Sequence, residues 1–323
     1  MTYQRLAGGG TWLGVALLLI SCSRSPTPAG PPAGSAAGAA ASSAVPLHAD
    51  AAGIDWYRGE VSDAFGAART AHKPILLYWG AIWCPPCQEL KSTVFSRPDF
   101  IARSRLFLPV YLDGDEAGAQ KWGEKFHVSG YPTLVVLNAE GRELMRIAGG
   151  MDLNQYATVL DTALADLQPA DALLSTAAAG KALDAQACRR LAFNSWELDV
   201  DANDDAAANT RMARDLDAAA AHCPEKARLE RARLQIFAAD YATRAQADAL
   251  KNNQPPDAVL RAHLAEVDRV LANERLALQV ADALQYLDEN FFRAVKAEGT
   301  TAAARLGRFS NVMDAATADP DFS

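Results

Sequence analysis

Two cysteines one helical turn apart carry the clearest chemistry in this chain. Trp83-Cys84-Pro85-Pro86-Cys87 opens a stretch of helical spacing that runs through Val94. Thiols separated by two residues can close into a disulfide and reopen, so the pair suits exchange with other thiols and disulfides. Placement makes the two unequal. Cys84 falls at a helix N-terminus, where unpaired N–H groups and the macrodipole favour thiolate over thiol. It is the expected nucleophile. Cys87 lies one turn further in and is expected to be more buried and to resolve a mixed disulfide. Pro85 and Pro86 are tolerated in a first turn, where a missing N–H leaves no bond unmade. A structural zinc site is the competing use of Cys-x-x-Cys, but no second Cys or His pair stands at ligand spacing. No metal and no cofactor is expected.

To present such a pair, the flanking chain must supply a strand that delivers it and a helix that carries it. Helical spacing in Ser62 to Thr70 precedes Lys73-Pro74 and a buried-strand run, Ile75 to Trp79. After the cysteines come a second apolar run, Leu106 to Leu112, and helix-like polar residues 115–126. Val128-Ser129-Gly130-Tyr131-Pro132-Thr133 then leads into a strand, Leu134 to Leu137. Asn138-Ala139-Glu140-Gly141 reads as the turn of a hairpin to Glu143 to Ala148. Asp152, three before Gln155, opens a last helix in the manner of a capping box. The order β-α-β-α-β-β-α predicts an α/β fold, a central mixed sheet flanked by helices.

With these two motifs in this order, residues 54–167, about a third of the chain, resemble the thioredoxin superfamily. Trp56, the Ala-rich first helix, Lys73-Pro74 and the stretch from Thr93 through Phe100 look most like the C-terminal domain of the DsbD-type thiol:disulfide interchange proteins. The resemblance implies that Tyr131-Pro132 is a cis-proline turn facing the cysteines, whose backbone pairs with a substrate strand while Pro132 keeps metal out. It makes Gly149 and Gly150 the other wall of the substrate groove and Trp83 its rim. Ordinary core packing is the alternative for Trp83 and Tyr131, and a trans strand-edge proline for Pro132. Three positions depart from the family pattern. Tyr78 stands where a buried Asp helps deprotonate the resolving Cys, Pro109 where a Lys lies beside it, and Ile82 where an acid often precedes the motif. These replacements leave no evident proton acceptor for Cys87. His127 reads either as a proton relay or as a solvated loop residue.

The N-terminus carries an address. Residues 1–21 have one early charge, Arg5, and an apolar core from Trp12 to Ile20 that is too short to span a bilayer. Leu19-Ile20-Ser21-Cys22 resembles the lipobox of bacterial lipoproteins, which implies signal cleavage and lipidation of Cys22. An uncleaved anchor or a plain signal is the alternative. Ser23 resembles the choice of the outer membrane, and diacylation gives two-chain anchoring. Residues 22–53 continue as Pro, Ala, Gly and Ser, a flexible tether with a reach on the order of 30 Å. The expected location is therefore periplasmic, lipid-anchored to the membrane. No other apolar run could enter a bilayer, which excludes a polytopic membrane protein. Lys plus Arg is 31 against 39 Asp plus Glu, a net charge of -8, so nucleic acid is not an expected partner.

Residues 168–323 hold 41 Ala in 156 positions and almost no strand signal. Leu260, Leu264, Val267 and Leu271 recur at helical spacing, as do Leu276, Val280, Leu284, Leu287 and Phe291. Five or six antiparallel helices are expected, without a tetratricopeptide register. Asp199, Asp201, Asp204 and Asp205 read as a solvated loop and helix start, since a calcium loop would need a Gly and a terminal Glu that are missing. In an oxidising compartment the remaining Cys188 and Cys223 are most simply a structural disulfide. A second redox pair is the alternative. The helical domain carries no catalytic constellation and is compatible with partner docking, dimerisation or capping.

Together these readings lead to an expected thiol:disulfide oxidoreductase acting through Cys84 and Cys87 on protein thiols and disulfides, with an upstream redox donor. The DsbD-type resemblance leans towards a reductase. A disulfide oxidase or isomerase, or a non-catalytic partner-binding lipoprotein with a vestigial redox site, stay open beside it.

Overall fold

The computed structural model describes residues 53–148, 153–196 and 205–318. Six consecutive buried residues form β1 (Ile75–Gly80), a pattern expected of a strand covered on both faces. Around it lie β2 (Leu108–Asp113), β3 (Thr133–Leu137) and β4 (Glu143–Ala148) in the order β2-β1-β3-β4. β1 runs parallel to β2 and antiparallel to β3, and β4 returns antiparallel along β3. The mixed sheet agrees with the sequence pattern. Side chains alternate as strand geometry requires: Leu76 and Tyr78 join one buried cluster, Ile75, Leu77 and Trp79 the other. Asn138 Oδ1 accepts the Arg142 N–H at 2.8 Å and Gly141 takes φ +83°, closing the β3–β4 hairpin.

Pro109 needs an edge strand, because it cannot donate to a ladder. β2 is that edge. The N-terminal segment covers it, with Tyr57 N–H donating to the Pro109 carbonyl at 2.8 Å.

The flanking helices are α1 (Val61–Ala71), α2 (Pro85–Leu90), α3 (Pro98–Ser104), α4 (Ala117–Lys125) and α5 (Leu153–Ala165). α2 continues directly into a π-helical turn, Lys91–Phe95. α3 is a helix that the sequence pattern did not separate; it starts with Pro98 in its first turn. Asp152, the expected cap of α5, lies outside the described residues.

Beyond α5 the regular elements among the described residues are all helices: α6 (Ala170–Ala178), α7 (Ala185–Ala192), α8 (Ala206–His222), α9 (Arg228–Ala245), α10 (Ala247–Lys251), α11 (Ala258–Leu271), α12 (Glu274–Gln279), α13 (Ala281–Leu284), α14 (Glu289–Ala297) and α15 (Thr300–Thr317). Ten helices stand among the described residues where five or six were expected. Short helices account for the difference. The run Leu276, Val280, Leu284, Leu287, Phe291 keeps its spacing across α12, α13 and α14, because each short piece turns its apolar residues into the same core. Asn273 and Asp288 restart the chain as N-caps, accepting backbone N–H groups of Leu276 and of Asn290 and Phe291. Asp205 caps α8 in the same way, while Asp199, Asp201 and Asp204 lie outside the described residues.

No seam in the core marks residue 167. The cluster holding Leu76, Tyr78, Leu134 and Val136 runs on through Leu174, Leu191, Tyr241 and Leu264 to Ala316. The helical region also closes the free edge of β4. Asn194 Oδ1 accepts the Arg146 N–H at 2.7 Å, and Ser195 N–H donates to the Arg146 carbonyl at 3.0 Å.

Candidate active site

β1 ends at Gly80, and the chain reaches the head of α2 in four residues. Cys84 is the N-cap of α2, in extended conformation, with Pro85 and Pro86 in the first turn. Neither proline has an N–H, so Cys87 offers the first free amide of the helix. That amide donates to Cys84 Sγ at 3.2 Å. A backbone donor aimed at the sulfur favours its anionic form, and the helix dipole acts in the same sense. Cys84 and Cys87 are joined as a disulfide with Cα atoms 5.2 Å apart. Cys84 is 3% exposed and Cys87 0%. The outer sulfur is the one an incoming group can reach.

The sulfur opens on a groove of about 370 Å³ lined by Trp83, Cys84, Pro85 and Pro86 on one side and Val128 to Tyr131 on the other. The Tyr131-Pro132 bond is cis, and the Tyr131 carbonyl oxygen lies 3.7 Å from Cys84 Sγ. Trp83 is 63% exposed and Ile82 52%. Trp83 is therefore not a core residue. Its ring lies 6.2 Å from that of Tyr131. Pro132 is buried behind the groove. Gly149, Gly150 and Cys22 lie outside the described residues.

Several positions that shape the groove were not singled out in the sequence. Asp115, just after β2, accepts the Trp83 Nε1–H on both carboxylate oxygens, at 2.9 and 3.0 Å. Burial, then the charges of Asp115 and Asp113, push the Tyr131 phenol up. A Cβ on Gly114 would stand 2.3 Å from the Tyr131 ring, so this site needs glycine. The sequence signal, Asp-Gly-Asp after a strand, marks a turn and nothing more.

Tyr78 belongs to an aromatic cluster beneath the motif. Its ring packs 5.9 Å from Trp56, 4.9 Å from Phe95 and 5.4 Å from Tyr111. Tyr111 is its neighbour across the sheet; Pro109 pairs with Leu76 instead. The expectation that Pro109 stands beside Tyr78 is thus corrected by the register of the parallel strands. A Cβ at Gly80 would meet the Tyr78 hydroxyl at 2.4 Å, which places that hydroxyl directly under the approach to α2. The oxygen is buried and has no hydrogen-bond partner among the described residues. Burial, then Tyr111, Tyr156 and Asp113, push its pKa far up. It stays neutral and cannot serve as the base that an Asp would be.

His127 does not line the groove. It borders a separate cavity of about 430 Å³ with Arg142, Arg146, Leu174 and Trp196. A further depression, of about 620 Å³, is lined by Arg189, Lys226 and Glu230 and shares no lining residue with the groove at Cys84. Cys188 in α7 and Cys223 after α8 are disulfide-bonded with Cα atoms 5.9 Å apart. Cys188 is fully buried, a poor position for exchange with an outside thiol.

Comparison with known proteins agrees with this geometry over one part of the chain. Residues 61–164 match a family model described as a thioredoxin-like domain. The thiol:disulfide interchange protein DsbD of Photorhabdus laumondii is 27% identical over 92 residues, 27% of this chain and 16% of that protein. DsbD 2 of Pseudomonas aeruginosa is 28% identical over 101 residues, 30% and 17% of the two chains. DsbD of Yersinia pestis is 31% identical over 94 residues, 28% and 16%. The chain therefore spans about a sixth of the length of these curated relatives. Among solved structures, a DsbH oxidoreductase shares 25% identity over 35% of this chain and 85% of its own, with a TM-score of 0.30. The reduced C-terminal domain of Neisseria meningitidis DsbD shares 18% over 31% and 91%, with a TM-score of 0.28. At those scores neither superposition bears on the assignment.

Proposed function

We propose, from the premise that residues 61–164 are a thioredoxin-like domain, that the chain is a thiol:disulfide oxidoreductase working through Cys84 and Cys87. The observation that carries this is Cys84 Sγ, at the head of α2, facing an open groove with the Cys87 amide aimed at it. In the reducing direction, the Cys84 thiolate attacks one sulfur of a substrate disulfide and releases the other as a thiolate. The Cys87 thiolate then attacks Cys84 Sγ, expels the second substrate thiolate and closes the Cys84–Cys87 disulfide. Two electrons pass to the substrate. A donor dithiol must return them before the next cycle. With a neutral Tyr78 in place of a carboxylate, the Cys87 proton leaves to solvent or to the departing substrate thiolate, so resolution is the slow step.

An open groove with an exposed Trp83 and a cis-proline wall supports a polypeptide substrate. The wider reading is a periplasmic reductase held to the membrane by a lipid on Cys22, the outer membrane favoured. Its support is the apolar run and lipobox-like residues before the tether. Among the described residues no helix is long and apolar enough to cross a membrane. Cys22→Ala should release the protein from membranes if that anchor is the one used.

The test of the redox reading is pH-dependent alkylation of Cys84→Ser and Cys87→Ser, read by mass. Cys84, left alone, should react well below the ordinary Cys pKa of about 8.5, and Cys87→Ser should trap mixed disulfides. Faster alkylation of Cys87 near neutral pH would reverse the two roles. A pair that never cycles between thiol and disulfide would sink the activity.

A further inference from the structure

A helix that closes in the left-handed conformation normally does so on glycine, because a Cβ is disfavoured there. α4 closes on His127 at φ +52°. Its N–H donates to the Glu124 carbonyl at 3.3 Å, and the Val128 N–H donates to the Gly123 carbonyl at 2.8 Å. The strained residue is the entry to Val128–Tyr131, the wall of the groove that faces Trp83 and Cys84. The far end of that wall is tied down by Thr133, whose hydroxyl donates to the Gly130 carbonyl at 2.7 Å. At the near end, Arg146 Nη1 donates to the His127 carbonyl at 3.3 Å.

Arg146 is itself fixed from two directions. Its Nε and Nη2 grip both Glu143 carboxylate oxygens at 3.0 and 2.8 Å, and the side chain is 9% exposed. Its main chain is held on the outer edge of β4 by Asn194 Oδ1 and the Ser195 N–H, both from the segment after α7. Trp196 Nε1–H donates to the Leu191 carbonyl at 2.7 Å, and its own carbonyl accepts from the Tyr241 hydroxyl at 2.6 Å, so this segment is anchored into the helical core. A continuous chain of bonds runs from α9 to the groove.

We propose that Arg146 is a positioning residue for exchange at Cys84, and that the helical region acts on the redox groove through it. The inference rests on the redox reading of Cys84 and Cys87. Arg146 is not among the groove-lining residues, so its effect passes through the His127 carbonyl to the placement of the Tyr131 carbonyl beside Cys84. The thiolate character of Cys84 is set elsewhere, by the head of α2. Loosening the wall should therefore change substrate binding and leave the cysteine's titration alone.

The experiment uses the full chain carrying Arg146→Met, Arg146→Lys or Asn194→Ala, well below each variant's unfolding temperature. A synthetic, fluorescence-quenched disulfide peptide is the substrate. Removing one charge-assisted hydrogen bond from the wall should raise KM about tenfold with kcat within about twofold. The pH midpoint of Cys84 alkylation should not move. Backbone amides of residues 128–131 should exchange hydrogen about tenfold faster. Arg146→Lys should restore part of both effects, and Asn194→Ala should reproduce them in weaker form from the helical side, which also serves if Arg146→Met does not fold. Lower thermal stability with wild-type KM and wild-type amide exchange would overturn the proposal. If the unmodified protein exchanges no disulfide, the redox reading fails on its own, and the amide exchange of 128–131 still decides whether Arg146 holds the wall.

Discussion

Replacing Tyr78 by Phe should make this protein more stable, and more so as the pH rises. The side chain is fully buried and its hydroxyl has no hydrogen-bond partner among the described residues. An unsatisfied buried hydroxyl costs roughly 1–3 kcal/mol. Deleting the oxygen leaves a void on the order of 20 Å³, worth about 0.5 kcal/mol at ~24 cal/mol per Å³. The three ring contacts to Trp56, Phe95 and Tyr111 survive in Phe. The net gain is about 1 kcal/mol at pH 8, or about 2 °C in unfolding temperature for a chain of this size. The pH dependence has a definite sign. Burial raises the folded-state pKa of Tyr78, so the folded protein keeps a proton that the unfolded chain loses near pH 10. Wild-type stability from this group is therefore complete below pH 10 and lost above it, at up to about 1.4 kcal/mol per pH unit. Phe has nothing to titrate, so the gap between the two proteins should widen from pH 8 to pH 11, with the other tyrosines cancelling. Thermal unfolding followed by circular dichroism across that range measures both quantities. A variant less stable than wild type at pH 8 would mean that the hydroxyl is well satisfied. A gap that stays constant to pH 11 would mean that Tyr78 titrates like an exposed tyrosine.

Two further outcomes follow from other parts of the structure. Cys188→Ser with Cys223→Ser opens a cross-link over a sequence separation of 35; chain entropy puts the loss at about 4 kcal/mol, read as a urea midpoint shift. Exchange through Cys84 should be unchanged at low temperature, and a loss of exchange would instead revive the pair as a second redox couple. Gly114→Ala pushes a Cβ into the Tyr131 ring and should cost roughly 1–3 kcal/mol with a raised KM, whereas Gly118→Ala, in α4 with open space around it, should stabilise by about 0.5–1 kcal/mol; equal effects at the two glycines would refute the steric account.

Local chemistry was legible along the chain, and long-range geometry was not. Cys-Pro-Pro-Cys at the head of a helix is readable because the N-cap, the two missing N–H groups and the first free amide all lie within four residues. The β1 run and the Asn138–Gly141 turn likewise follow from a short apolar run and turn chemistry acting over a few residues. The number of helices beyond α5 was misjudged because apolar spacing survives a break whenever both pieces face one core. Tyr78 was legible as a departure, but its hydroxyl's position under Gly80 and its register with Tyr111 rather than Pro109 came only from strand pairing.

What the sequence by itself determined is therefore the Cys-Pro-Pro-Cys motif at the head of a helix and the order of elements that present it. Each depends on neighbours in the chain, whose distances are set by covalent geometry. Tertiary structure alone decided what surrounds the pair. Asp115 reaches Trp83 across 32 residues, and Asn194 reaches Arg146 across 48. Such pairings arise when strands and helices pack, and no local propensity encodes which exposed carboxylate or amide will meet which partner. The helical region shows this most plainly: its composition announces only helices, yet folding places one of its turns on the free edge of β4, where Asn194 and Ser195 hold the main chain of Arg146, the residue whose side chain bonds the His127 carbonyl beside the groove.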